Sequence, residues 1–91
     1  MITSKSLVHK SKLQTSGELN GETMLMQLEN GNYYGLGTTG SDIWNLIDSP
    51  IQVITICEEL SKKYEVNNET CLQDVLKFLN QLESENLIEC Q

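Results

Sequence analysis

The chain lacks several residue types on which common protein functions depend. Its 91 residues include no arginine, one histidine and one proline, and its 6 lysines face 13 acidic residues, so that the formal net charge is −7. Because lysine and arginine neutralise phosphates in nucleic-acid complexes, this balance argues against DNA or RNA as a partner. It favours a partner that is basic or mainly apolar.

Signals for membranes and secretion are also missing. No apolar run approaches the ~20 residues of a membrane-spanning helix, and the polar start, Met1–Lys12, lacks the apolar centre of a signal peptide. The cysteines are odd in number, widely spaced and without a C-x-x-C pair, so a disulfide framework is not expected. Cys57 and Cys71 fall in helical patterns and are predicted to be small buried core residues. We expect a cytoplasmic protein with a single domain over residues 1–91.

No catalytic motif is recognisable. The lone histidine, His9, has no base or nucleophile placed beside it by a motif, and no metal-ligand spacing links it to a cysteine. Gly35, Gly37 and Gly40 do not match a phosphate-binding loop, since no lysine follows them. We therefore predict that the protein is not an enzyme and uses no cofactor or metal.

A hairpin is the clearest structural signal. Asn30-Gly31 is a strong tight-turn dipeptide, and it lies between Glu22–Glu29 and Tyr33–Leu36, which are predicted to be antiparallel strands. Upstream, Ser6–Lys12 is a candidate strand, and Thr15–Gly21 has the composition of a turn or loop. Alternation in the first hairpin strand predicts a core-facing side formed by Met24, Met26 and Leu28.

The second strand of the hairpin is predicted to lie at an edge. Tyr34 and Leu36 share one face and are expected in the core, whereas Tyr33 points the other way. No later segment resembles a strand long enough to cover this one. An uncovered strand beside helices is a place where another peptide can add.

Three helices follow the hairpin. Thr39 with Asp42 resembles a capping box for the first helix, and the second is expected to begin between residues 50 and 53. Asn67-Asn68 can cap a third helix over about 70–84, which Asn86 would end in the left-handed conformation. The expected buried stripes are Val53, Ile56, Cys57, Leu60 and Tyr64 in the second helix, and Cys71, Val75, Phe78 and Leu82 in the third.

The apolar arc of the third helix is wide. With Leu72, Leu76 and Leu79 it spans about 160°, more than the ~100° that a helix needs to cover a core. Either this helix is central and packs on two sides, or one of its flanks lines a groove.

The order and spacing of these pieces resemble the PqqD-like family, known as RiPP recognition elements, over about Leu7–Ile88. The resemblance implies an α+β, winged helix-turn-helix-like fold, in which a three-stranded antiparallel sheet is followed by three helices. Asn86 stands where the family often has Gly, and it still suits a helix end. The matching segments are residues 32–36 (NYYGL), 40–46 (GSDIWNL), 53–60, 64–66 (YEV), 74–79 (DVLKFL) with Leu82, and 86–88 (NLI).

The resemblance also implies a function. Such domains bind the leader segment of a ribosomally synthesised precursor peptide by strand addition. The chain looks most like the stand-alone lasso-peptide members, which present the precursor to a separate leader peptidase, after which a cyclase acts. The alternative within the family is a PqqD-type chaperone that presents its precursor to a radical SAM enzyme.

The resemblance assigns the leader to the edge strand and to the third helix. The residues alone do not say which flank of that helix meets the leader, and the family pattern favours the Asp74 side. The implied leader-binding residues are Asn32, Tyr33, Tyr34, Gly35 and Leu36 on the strand, with Asp74, Val75, Lys77, Phe78 and Gln81 on the helix.

Two other classes of function compete with leader binding. A DNA-binding winged helix has a similar topology, but the net charge and the single lysine of the third helix argue against it. A small acidic carrier or adaptor would need an Asp-Ser attachment site, whereas the order here is Ser41-Asp42. An exposed strand edge permits either a monomer or an edge-paired or swapped dimer.

Overall fold

The computed structural model describes residues 2–91, which form three helices and six short strands in two antiparallel sheets. The strand order is β5-β1-β6 in one sheet and β2-β3-β4 in the other. No helix in this part of the chain has the length and apolar character needed to cross a membrane. The elements are β1 (Leu7–Lys10), β2 (Gln14–Leu19), β3 (Glu22–Gln27), β4 (Tyr33–Gly35), α1 (Thr38–Leu46), β5 (Ile51–Gln52), α2 (Val53–Lys63), α3 (Asn68–Ser84) and β6 (Ile88–Cys90).

The strand β2 replaces the loop predicted over Thr15–Gly21. It pairs along its whole length with β3, from Gln14 opposite Gln27 to Leu19 opposite Glu22. The two strands are joined by Asn20 and Gly21, whose φ angles of 54° and 81° suit the two-residue turn of a tight hairpin. The prediction was wrong because pairing with β3 outweighs the weak strand propensity of this polar segment.

The core-facing side of β3 is the opposite of the predicted one. Leu25 is fully buried, Thr23 and Gln27 are buried beside it, and Leu28 is 52% exposed. Gln27 is buried at little cost because its side-chain carbonyl accepts hydrogen bonds from the Glu29 and Asn30 amides of the following loop. Met24 and Met26 are half-buried on the outer face.

The first predicted strand belongs to a separate sheet. β1 lies between β5 and β6, so the fold has two small sheets where a single three-stranded sheet was expected. The sheet that precedes α1 contains β2 in place of β1. The α+β class and the three helices agree with the prediction. Leu7 and Gln91 exchange two backbone hydrogen bonds, which tie the C-terminal end to β1.

Helix starts are partly as predicted. Asn67 caps α3 by accepting hydrogen bonds from the Glu69 and Thr70 amides at 2.9 and 3.2 Å. The prediction of a capping box at Thr39 was wrong. The residue that precedes α1 is Gly37, which has no side-chain cap, and the Asp42 carboxylate accepts a hydrogen bond from Tyr64 instead. At the end of α3, the φ angle of Asn86 is 58°, the left-handed conformation expected there.

The core lies between the helices and the inner faces of both sheets. Its largest fully buried apolar side chains are Trp44, Leu25, Ile47, Ile56, Leu79 and Leu87. Cys57 and Cys71 are buried free thiols, as predicted, and burial raises the pKa of the Cys57 thiol to about 11. The buried stripe of α3 differs from the predicted one at one position. Leu79 is fully buried, whereas Phe78, which was predicted to be buried, is partly exposed.

Ser41 joins α1 to both strands of the predicted hairpin. Its buried hydroxyl accepts a hydrogen bond from the Thr23 amide at 2.9 Å and donates to the Leu36 carbonyl at 3.3 Å. We expect Ser41→Ala to lower the free energy of unfolding by about 1–3 kcal/mol, because the buried Thr23 amide loses its acceptor. Urea unfolding measures this change.

The matched control is Ser61→Ala. The Ser61 hydroxyl is exposed and donates only to the Glu58 carbonyl within its own helix, so we expect its loss to change the stability by less than about 0.5 kcal/mol. Equal losses in the two variants would contradict the role given to Ser41.

Candidate functional site

The outer edge of β4 is free. Within residues 2–91 this strand pairs on one side with β3 and has no strand on the other. β4 is therefore the edge strand that the sequence predicted, although it is shorter than the predicted segment Asn32–Leu36.

The hydrogen-bond register shows which residues of β4 face the free edge. The Leu36 amide donates to the Thr23 carbonyl at 2.8 Å, and the Gln27 amide donates to the Asn32 carbonyl at 2.9 Å. Hydrogen-bonded pairs alternate along an antiparallel ladder, so the intervening pair of this kind is Leu25 with Tyr34. The amides and carbonyls of Tyr33 and Gly35 consequently point outward. The sequence had left this register open by one residue.

A cleft of about 480 Å³ lies between β4 and the C-terminal half of α3. Tyr34 bridges it, since its hydroxyl donates to the Glu85 carboxylate at 2.7 Å. This hydrogen bond raises the pKa of the Tyr34 hydroxyl, because it stabilises the protonated phenol and would be lost on ionisation. We call this space the lower cleft. It is lined by Tyr34, Gly35, Leu36, Phe78, Gln81, Leu82, Ser84, Glu85 and Leu87.

A second cavity, of about 390 Å³, continues toward the N-terminal half of α3. We call it the upper pocket. Its lining is mostly apolar and includes Thr39, Gly40, Ile43, Leu60, Tyr64, Val66, Cys71, Asp74, Val75 and Phe78.

Tyr64 is held in the wall of the upper pocket by an anionic partner. Its hydroxyl donates to the Asp42 carboxylate, which also accepts from Lys63 Nζ at 3.0 Å. Both hydrogen bonds lower the pKa of Asp42, and the one from Tyr64 has the larger effect. The same contact with Asp42 raises the pKa of Tyr64.

The Phe78 side chain lies between the two spaces and contributes to both. Its ring packs directly on α1 at Gly40. A Cβ atom at position 40 would lie 3.1 and 3.2 Å from two ring atoms of Phe78 and 3.3 Å from Leu36 Cβ. Gly40 therefore permits a close approach, and a side chain at this position would require the Phe78 ring to shift by a few tenths of an ångström.

The ten predicted site residues are distributed over several places. The lower cleft brings together Tyr34, Gly35, Leu36, Phe78 and Gln81, and the upper pocket includes Asp74 and Val75. Asn32 and Lys77 are exposed and line neither space, and Tyr33 is 71% exposed on the outer face of the sheet.

The two flanks of α3 face different neighbours. Asp74, Phe78 and Gln81 lie on the flank toward α1 and β4. Leu72, on the opposite flank, lines a separate cleft with Ile54 and Cys57 of α2. The geometry thus brings the Asp74 flank, and not the Leu72 flank, next to the free edge.

Sequence reasoning missed several residues that line the two spaces, and two of them, Gly40 and Glu85, shape the site directly. Gly40 carries no signal of its own in a helix, and its role appears only from the position of the Phe78 ring. Glu85 follows the last turn of α3, and nothing local connects it with Tyr34, 51 residues earlier. In the described part of the chain, no three His, Cys, Asp or Glu side chains converge as a metal site would require.

Comparison with protein families gives a match to "Coenzyme PQQ synthesis protein D (PqqD)" over residues 22–88. The chain belongs to the PqqD family. The matched range runs from the start of β3 to the first residue of β6, and it contains β4 and all three helices that form the site. Comparison with curated proteins gives no match.

A solved structure is similar to this PqqD-family protein over nearly its whole length. It is "TbiB1 in Complex with the TbiA(beta) Leader Peptide", with 30% sequence identity and a TM-score of 0.83. The alignment covers 89% of this chain and 94% of the TbiB1 chain. The expected fold and the family resemblance are therefore confirmed.

The contact between Gly40 and Phe78 gives a direct test of the site geometry. We expect Gly40→Ala to displace the aromatic ring, because the new methyl group would overlap its van der Waals envelope. Since Phe78 is the only phenylalanine, its ring resonances are unambiguous in an NMR spectrum. Gly17→Ala is the control, because a Cβ there meets no atom within 4 Å. Unchanged Phe78 resonances in Gly40→Ala would contradict the described packing.

Proposed function

We propose that this protein binds the leader segment of a ribosomally synthesised precursor peptide as an added strand on β4 and presents it to processing enzymes. The observation that carries the proposal is the free edge at Tyr33 and Gly35 beside the lower cleft. Backbone pairing at such an edge supplies affinity, and pockets for alternate side chains supply selectivity.

The register defines what an added strand would contact. Its backbone would form hydrogen bonds with the outward amides and carbonyls of Tyr33 and Gly35. Its side chains opposite Tyr34 and Leu36 would share their face of the sheet. Those side chains would enter the lower cleft, next to Phe78 and Gln81 of α3. The upper pocket would receive a further apolar side chain along the same helix flank.

The likeness to TbiB1 in complex with a leader peptide supports this function. We propose a lasso-peptide pathway, in which the protein delivers its precursor to a separate leader peptidase, before a cyclase acts. The alternative is delivery to a radical SAM enzyme, as the resemblance to PqqD-type chaperones implies. In either pathway the protein would act in the cytoplasm, as a single binding domain without catalytic activity or cofactor of its own.

A titration followed by NMR tests the binding site. The probes are a peptide selected from a phage-displayed library of random twelve-residue peptides and, second, the TbiA(beta) leader peptide. We expect amide shifts to concentrate in β4 and on the Asp74 flank of α3. Shifts confined to β1 or α2, or a library without any binder, would contradict the proposal.

Backbone N-methylation tests strand addition itself. We expect N-methylation of Tyr33 or Gly35 to weaken peptide binding about fivefold or more with little change in melting temperature, because each removes one outward donor. N-methylation of Tyr34 or Leu36 should instead destabilise the pairing with β3. Chemical synthesis of the four variants, with melting and affinity measured on each, gives the comparison. Equal destabilisation in all four without a selective loss of binding would mean that the peptide binds elsewhere.

Phe78→Ala tests the wall that the two spaces share. Phe78 is only partly buried, so we expect a loss of stability below the ~3–5 kcal/mol of a fully buried phenylalanine. Peptide affinity should fall in the folded variant, because the lower cleft and the upper pocket would merge. Melting and affinity are measured together, and normal values for both would contradict the role of this ring.

A further inference from the structure

The outer face of the β2-β3-β4 sheet has an uneven surface at the free edge. Tyr33 projects from it and is 71% exposed, whereas Gly35, the next residue of β4 on the same face, has no side chain. The exposed edge is therefore bare at one of the two positions where its backbone can pair with an added strand.

Met24 of β3 lies across this bare position. It is the cross-strand partner of Gly35. A Cβ atom at position 35 would lie 3.3 Å from Met24 Sδ and 3.9 Å from Met24 Cε. The pair belongs to the closely spaced, non-hydrogen-bonded class of the ladder, which lets the Met24 thioether extend over the glycine toward the edge.

The residue of an added strand that pairs with Gly35 must place its side chain on this outer face. Side chains of directly opposed residues share one face of a sheet. Its two neighbours along the strand would point the other way, into the lower cleft. Nothing on Gly35 separates the outward side chain from the Met24 thioether.

We propose that Gly35 and Met24 form a subsite on the outer face of the sheet for one large apolar side chain of the bound peptide, above all an aromatic one. The proposal rests on the proposed function, since it needs a strand added to β4. The subsite is separate from the lower cleft and lies on the opposite side of the sheet.

The chemistry of the two residues favours an aromatic ring. Thioether sulfur makes favourable contacts with aromatic edges at about 5 Å, and an aromatic side chain covering a glycine on a neighbouring strand stabilises the pairing. Tyr33 is the other residue of β4 on this face, two positions along the strand from Gly35. The peptide would then carry an outward aromatic residue between two residues that enter the cleft.

Methyl NMR of the whole protein tests this contact. The probes are library-selected twelve-residue peptides that shift the amides of β4. With [¹³C]methyl-methionine, we expect the Met24 methyl signal to move upfield on binding, because it enters the ring current of the peptide's aromatic side chain. The Met26 methyl signal, on the same face but opposite Tyr33, is the internal control. Replacing the aromatic residue of the peptide by Ala should abolish the shift.

A double-mutant cycle measures the coupling. Met24→Ala should weaken binding of the aromatic peptide about two- to tenfold and should have little effect on the Ala-substituted peptide. Met26→Ala is the matched control and should leave both affinities unchanged. Gly35→Ala, whose methyl group would push the Met24 thioether aside, should remove the upfield shift.

The outcomes separate the two proposals. Selected peptides that shift β4 but show no aromatic preference, or additive effects in the cycle, would overturn the subsite alone. A library in which no peptide is enriched would overturn leader binding and the subsite together.

Discussion

The pairing of β3 with β4 determines which backbone groups lie at the free edge and which side chains face the cleft. The bonds from Leu36 to Thr23 and from Gln27 to Asn32 set a register in which Tyr33 and Gly35 turn their polar backbone groups outward. A slip of one residue would exchange these for Tyr34 and Leu36 and turn the apolar side chains away from the cleft. The hydroxyl of Ser41 holds both strands of this pair against α1, so the edge is anchored in the core on its inner side.

In the proposed function, the helices would make this edge a selective surface. A bare strand edge accepts any extended peptide, because backbone groups are common to all sequences. The flank of α3 with Asp74, Phe78 and Gln81 adds side-chain contacts on one side of the edge only. Phe78 can stand there because Gly40 gives its ring room on α1.

The sequence predicted the parts of the molecule that depend on local patterns. The start of the second helix between residues 50 and 53, the cap at Asn67 and the left-handed residue Asn86 follow from signals within a few residues. The edge position of Tyr33–Gly35 was predicted because no later segment resembles a strand long enough to cover it. The orientation of β3 did not follow, because Met24 and Met26 are more apolar than Thr23 and Gln27. The pattern does not reveal the side-chain hydrogen bonds that satisfy Gln27 or the bond from the Thr23 amide to Ser41. The strand β2 and the Tyr34–Glu85 contact depend on partners elsewhere in the fold, which explains why neither was predicted.

The shortness of β4 has a consequence for self-association. An exposed edge is a template for a second copy of the same chain, and natural proteins limit this hazard with short edges and charge. With three residues in the strand, two copies paired edge to edge would share few backbone bonds, and each would bring a net charge of −7 toward the other. In the proposed function, a bound peptide would add side-chain contacts in the cleft to the same few bonds. A strand of this length would therefore favour, at this edge, the proposed ligand that also engages α3 over a second copy of the chain.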